Sequence, residues 1–322
     1  VDDFALECQI AVVDEKLSDY DRSENMLNLG KELTRRFEGI KVMPIPTIPQ
    51  NASYEDFCEN IQVKEALADN RLLPFAYNMK NALPHSIALD RSLGYLISGK
   101  HGAGKTNALK IIYRMAADKG GKVYYIDMTG NVLHLPEYEN AKVVRDYEEL
   151  NKMCEEIIPP LKSRNQRKKK MEEDDYAPEE IFLEFSQEQP IFILIDELPT
   201  FLDKLQKAAD KYAIVKNILE NFAEKGRLHK LYFIMTLDNA QAAQVGGYTF
   251  FQLLKNQIEG IQLGGNCIGQ TILSFDKLNY KKQNQSLKPG HAFVSSTDED
   301  AAEEVYVPVL KSKKSKEKEL RS

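Results

Sequence analysis

Residues 99–106 read Gly-Lys-His-Gly-Ala-Gly-Lys-Thr, and their types and spacing suit one task, holding a polyphosphate. Successive backbone N–H groups can wrap phosphate oxygens only where no Cβ intrudes, which accounts for Gly99, Gly102 and Gly104. Lys105 is placed to reach the β- and γ-phosphates, and the Thr106 hydroxyl to ligate magnesium. A chance glycine-rich turn can imitate this spacing, so the flanks decide. An apolar run at 95–97 enters the loop and a helical pattern, N-A-L-K-I-I-Y-R-M-A-A, leaves it. That is the strand-loop-helix order which the motif G-x-x-x-x-G-K-[ST] requires. The helix start adds the positive end of its dipole. His101 stands at a variable position, fills the loop and can touch phosphate. The expected nucleotide cradle is Gly99, Lys100, His101, Gly102, Ala103, Gly104, Lys105, Thr106 and Asn107, and the expected cofactors are ATP and Mg2+.

Hydrolysis needs more: a metal anchor and a group that polarises water. Asp196 and Glu197 follow the fully apolar run I-F-I-L-I, and strand ends are where ligand sites form in open α/β sheets. Asp196 can hold the metal, while Glu197 is long enough to act on the attacking water. Thr236 ends the next apolar run and can sense the γ-phosphate; a strand-end threonine without that role is the alternative. Arg227, just before that run, is a candidate transition-state cation for a neighbouring subunit, with a solvent-facing arginine as its alternative. The candidate catalytic set is therefore Glu197, Lys105 and Arg227, with Thr106 and Asp196 on the metal. His85, His134, His229 and His291 are scattered and form no metal set.

The elements that must position these groups follow from periodicity. Buried strands are expected at 191–195 and 231–235, since unbroken apolar runs suit the centre of a parallel sheet. Further strands are expected at 4–13, 122–128 and 258–263, and an edge hairpin from 291–296 and 305–309. Helices are expected at 23–38, after the phosphate loop, at 146–158 as far as Pro159-Pro160, across 200–225, and at 247–256. Strands alternating with helices predict an α/β fold, a RecA-like P-loop NTPase with a mostly parallel central sheet. Spaced prolines at 41–49 force an extended connector. Residues 1–50 thus read as the trailing part of a preceding domain plus linker, 51–310 as the P-loop domain, and 311–322 as a disordered lysine-rich tail. The basic-then-acidic block at 167–175 reads as a solvated, mobile insertion.

Composition narrows the function classes. The chain has 322 residues and 43% hydrophobic content, which allows a large core. No apolar run approaches the ~18 residues of a membrane span. The start on Val1 in mid-pattern suggests a piece of something longer. Cys8, Cys58, Cys154 and Cys267 lie far apart and read as reduced thiols. A net charge of −6 disfavours a nucleic-acid surface.

Taken together, P-I-P-T-I-P, G-K-H-G-A-G-K-T, I-F-I-L-I-D-E, G-R-L-H-K-L-Y-F-I-M-T and I-Q-L-G-G-N resemble the FtsK/SpoIIIE class of ring ATPases. Within it, the chain is similar to the C-terminal ATPase module of the EssC-type coupling proteins of the Firmicutes type VII secretion system, over about residues 5 to 310. The resemblance implies a cytoplasmic domain of a cell-membrane protein, carried after preceding ATPase modules of the same chain. It also implies a homo-hexamer in the full-length machine, a monomer as a fragment, and recruitment of WXG100-type secreted proteins and effectors. Gly99 to Thr106 then carry over as the cradle, Asp196 and Glu197 as the second Walker motif, and Arg227 as the ring-interface arginine. One departure stands out. The translocases usually follow the strand with A-T-Q-R-P, and here Met235 to Asn239 read M-T-L-D-N, with Leu237 and Asp238 in place of Gln and Arg. A nucleotide-stabilised receptor with little hydrolysis therefore stands beside the export motor, and a DNA translocase behind both. An export substrate is expected in an apolar groove rather than on the charge block; 111–115 and 248–254 are candidate walls, with core packing the favoured role of each of their residues taken singly.

Overall fold

The computed structural model describes residues 18–38, 47–130, 135–296 and 302–310, leaving aside the side chains of residues 182, 209–212, 227 and 228. The expected strand at 4–13, the connector at 41–46, His134 and the tail at 311–322 lie outside the described residues. The chain divides into two compact units, 1–45 and 46–322. The first contains α1 (Asp19–Arg36), capped by Ser18, whose hydroxyl oxygen accepts the Asp21 N–H.

The second unit runs α2 (Tyr54–Glu59), α3 (Ile61–Ala68), β1 (Leu72–Asn78), β2 (Pro84–Ala88), β3 (Gly94–Gly99), α4 (Lys105–Asp118), β4 (Lys122–Ile126), β5 (Ala141–Val144), α5 (Tyr147–Glu173), α6 (Pro178–Ser186) and β6 (Ile191–Ile195). It continues α7 (Leu198–Lys207), α8 (Ala209–Lys225), β7 (Leu231–Asp238), α9 (Ala242–Val245), α10 (Thr249–Leu254), β8 (Ile258–Gly265), α11 (Tyr280–Asn284), β9 (Leu287–Val294) and β10 (Glu304–Tyr306). The described strands form one ten-stranded sheet in the order β2-β1-β10-β9-β8-β3-β7-β6-β4-β5. From β8 to β5 neighbours are parallel, and from β8 to β2 they are antiparallel. This is the expected RecA-like α/β architecture.

Why helices cover both faces is written in the strands. Ile191, Ile193 and Ile195 of β6 face one apolar core with α5, α7, α8 and α10, and Phe192 and Leu194 face another with α4. Side chains alternate across a strand, so an unbroken apolar run needs cover on both sides. Burying each such side chain contributes roughly 1.5–3 kcal/mol. The segments 111–115 and 248–254 supply these cores: Ile111, Ile112, Met115, Phe250, Phe251 and Leu254 are all buried, the core-packing alternative, and these residues do not wall an open groove.

Three expectations are corrected. The late hairpin is not at an edge, because β10 also pairs with β1, and β2 lies outside that. The helix expected to stop at Pro159-Pro160 runs on to Glu173. A mid-helix proline costs about 3 kcal/mol, and here burial of Ile157 and Leu161 with the bonds of Arg164 offsets it. Arg164 is buried and donates to Glu188 Oε2 at 3.0 Å, to the Gln189 carbonyl at 2.7 Å and to the His229 carbonyl. The block at 167–175 is accordingly not a loose insertion: residues 167–173 are the last turns of α5, held by Lys168–Glu172 and Arg167–Glu188 ion pairs, and 174–175 form the turn that follows. Helix α6 was missed, although Pro178 at its first turn and Ile181 and Phe185 four apart mark it.

Candidate functional site

Strand register assembles the site. β3 runs beside β7 with Gly99 opposite Asp238, and β6 beside β7 with Ile195 opposite Met235, so Asp196 and Thr236 emerge side by side. The carboxyl ends of three adjacent parallel strands thus carry the phosphate loop, the acidic pair and Thr236.

The loop geometry depends on its glycines. Gly102 has φ +75° and Gly104 φ +105°, a region that side chains resist, and a Cβ on Gly99 would lie 2.3 Å from the Leu263 carbonyl oxygen. Helix α4 starts at Gly104 with no side-chain cap, so the N–H groups of its first turn are free of a capping side chain. Strands β8 and β9 back the loop: the Gly290 N–H of β9 donates to the Ala103 carbonyl at 3.3 Å, and Gly265 at the end of β8 lies against the Lys100 side chain. His101 and Lys100 are exposed on the rim.

Asp196 is the electrostatic centre. Its carboxylate accepts from Thr106 Oγ1 at 3.1 Å, Thr236 Oγ1 at 2.6 Å and Tyr125 Oη at 3.2 Å. Burial beside that carboxylate raises the Tyr125 pKa well above its ordinary value, so Tyr125 stays a neutral donor. The donor set fits magnesium. Thr106 Oγ1 and Asp196 Oδ2 lie at close to the separation of about 2.9 Å that adjacent oxygens adopt around an octahedral Mg2+ with 2.0–2.1 Å bonds. Among the described residues no three His, Cys, Asp or Glu cluster as an all-protein metal site. A site completed by one carboxylate, one hydroxyl and a ligand's phosphates needs none.

The remaining candidates fall in different places. Glu197 caps α7 in a left-handed conformation, φ 54°, with an exposed side chain touched by Thr200 Oγ1 at 3.5 Å. Strain of this kind collects at functional sites. Thr236 is fully buried and engaged with Asp196 and the Glu197 N–H, which makes it a brace for the acids. Asn107 turns to the end of the domain instead: its amide donates to the Pro308 carbonyl and accepts the Leu310 N–H. Arg227 sits in the turn before β7, so the strand's eight residues, roughly 26 Å, separate its backbone from the loop. Lys105 donates to the Gly99 and Lys100 carbonyls at 3.1 and 2.8 Å and pairs with Asp238 at 3.2 Å. Tyr125 was not foreseen, because a tyrosine inside an apolar strand gives no signal of where its hydroxyl ends. Asp238 had one, as a departure from the family pattern.

A second feature lies away from these strand ends. A cavity of about 670 Å³ is walled by the end of α5, by α6 and by the approaches to β1 and β7, with Leu89, Ile181, Phe185 and Tyr232 beside Lys168, Glu172 and Lys230. The charge block therefore lines this apolar hollow, and charge and groove are not separate surfaces.

The sheet order, the loop and the acids at its strand ends define a RecA-like P-loop NTPase fold. More particularly, the fold is that of the ATPase modules of EssC and EccC. The cytoplasmic domain of EssC superposes with a TM-score of 0.71 at 16% identity, covering 94% of this chain and 56% of that one. ATPases 2 and 3 of EssC from Geobacillus thermodenitrificans give a TM-score of 0.63 at 17% identity, covering 92% and 52%. ATPases 2 and 3 of EccC from Thermomonospora curvata, in complex with a signal sequence peptide, give 0.60 at 15% identity, covering 93% and 50%. The chain spans about half the length of each. No family model and no curated protein matches the sequence. Among the described residues no helix is long and apolar enough to cross a membrane.

Proposed function

We propose that this chain is a nucleotide-binding ATPase module of a type VII secretion motor. The observation that carries the reading is the convergence of the Thr106, Thr236 and Tyr125 hydroxyls on Asp196 at the mouth of the phosphate loop. In this reading the N–H groups of the loop and Lys105 hold the phosphates of ATP, and Thr106 with Asp196 holds Mg2+. The metal, when bound, supplies positive charge to the phosphates. Glu197 orients and polarises water, and Arg227 serves a neighbouring copy in a hexameric ring. Residues 51–310 form the ATPase domain, after a linker and a preceding ATPase module of the same membrane-anchored, cytoplasmic machine.

Slow turnover is the favoured form, supported by Asp238 on the loop lysine and by the absence of a Gln-Arg pair after Thr236. Recruitment of WXG100-like proteins and effectors is supported by the signal peptide bound to EccC and by the apolar cavity at α5 and α6. The net charge of −6 favours protein over DNA as cargo. Calorimetric titration with ATP and ADP in Mg2+, repeated with a WXG100 protein present, tests both parts. Absence of nucleotide binding would sink the first, and a signal unchanged by the WXG100 protein would sink the second.

A further inference from the structure

We infer that Asp238 is a specificity-determining residue that disfavours a triphosphate relative to a diphosphate at the phosphate loop; the inference rests on the nucleotide-binding reading. Opposite Gly99 in the β3–β7 register, Asp238 is aimed at the loop by the strand itself. Its Oδ1 accepts the Ala240 N–H at 3.1 Å, which fixes the carboxylate. Its Oδ2 then lies 3.2 Å from Lys105 Nζ, whose remaining bonds go to the Gly99 and Lys100 carbonyls. An ammonium has three donors, and here all three are taken within the chain.

The consequence depends on burial and charge. The two side chains are only 13% and 23% exposed, so solvent screens the pair weakly. A phosphate that reaches Lys105 must displace the loop carbonyls or share the ammonium with a fixed carboxylate. Both partners of a shared cation are then negative, and the added charge of a γ-phosphate sharpens the repulsion. A diphosphate brings only its β-group within reach of the lysine and meets less of it. At this position a neutral or basic side chain would carry no such penalty.

The test keeps the turn and removes the charge. Asp238→Asn retains an oxygen for the Ala240 N–H, as does Asp238→Ser, and thermal unfolding checks that each folds. Titration with Mg-ATP and Mg-ADP should show ATP affinity rising by about tenfold or more, as expected of a partly shielded unit charge, with a smaller gain for ADP. Unchanged ATP affinity in variants that fold and bind, or equal gains for both nucleotides, would overturn the inference while leaving the nucleotide reading intact. If neither the parent nor either variant bound any nucleotide, both would fall together. Binding of ATP by the variants alone would uphold both.

Discussion

Thr236 joins the two acids of the β6 loop: its hydroxyl donates to Asp196 Oδ1 at 2.6 Å, and the same oxygen accepts the Glu197 N–H at 2.8 Å. Strand β7 thereby fixes groups that belong to β6. Thr236→Val keeps the shape and removes both bonds, leaving a buried acceptor and donor without this partner. We expect a loss of about 1–3 kcal/mol in denaturant unfolding and a higher Mg2+ requirement for nucleotide binding. Thr236→Ser should restore both. A valine variant as stable as its parent would show that the brace is idle.

Lys105→Ala and Thr106→Ala should remove most nucleotide affinity without unfolding the chain, since the glycines that shape the loop remain. For Thr106→Ala the deficit should be largest with Mg2+ and small without it, because the hydroxyl acts through the metal. Equal losses with and without Mg2+ would remove Thr106 from the metal site.

Glu197 offers two opposed outcomes. Glu197→Gln should keep binding and abolish turnover, as an amide cannot take a proton from water. Glu197→Gly should also be inactive yet more stable by about 1 kcal/mol, because glycine accepts the left-handed backbone without strain. Measuring stability and phosphate release on the same samples separates the two. A destabilised glycine variant would mean that the carboxylate itself holds the loop.

His229 sets a pH dependence. Burial, then the nearby Arg164 and Lys168 charges, hold its pKa below the ordinary 6.5. As pH falls through that value, the unfolded chain takes up a proton that the folded chain refuses, so stability declines. Unfolding midpoints between about pH 7.5 and 5.5, which span the ordinary histidine range, should fall, and His229→Gln should flatten part of the decline. An unchanged slope would assign the decline to other groups.

How much of this was legible beforehand differs by element. The phosphate loop, β6 and β7 were readable because glycine spacing and unbroken apolar runs are local signals. β1 and β2 were not, since their apolar residues are interrupted by Pro74, Asn78 and His85, and the strands are secured by distant or mutual pairing, β1 with β10 and β2 with β1. The passage of α5 through Pro159 and Pro160 was hidden for a related reason. Local propensity ends the helix there, and the contacts that keep it, from Arg164 to Gln189 and His229, are distant in sequence. At the site, side-chain types foretold Asp196 with Thr106, while the partner of Lys105 followed only from the register of β3 on β7.

β10 has a consequence for the order in which the chain can mature. It is the last of the described strands in sequence, yet it lies between β1 and β9, and the Tyr54 N–H and the Val309 N–H tie residues 52–54 to 309 just beyond it. While synthesis proceeds, the parallel half from β8 to β5 can assemble with its helices, but β1 and β9 each keep a bare row of N–H and C=O groups until residues 304–306 leave the ribosome. Two such rows on one nascent chain invite pairing with other chains. Within the described sheet, closure of both rows therefore waits on a three-residue strand, and a chain cut short of Glu304 would leave β1 and β9 without that shared partner.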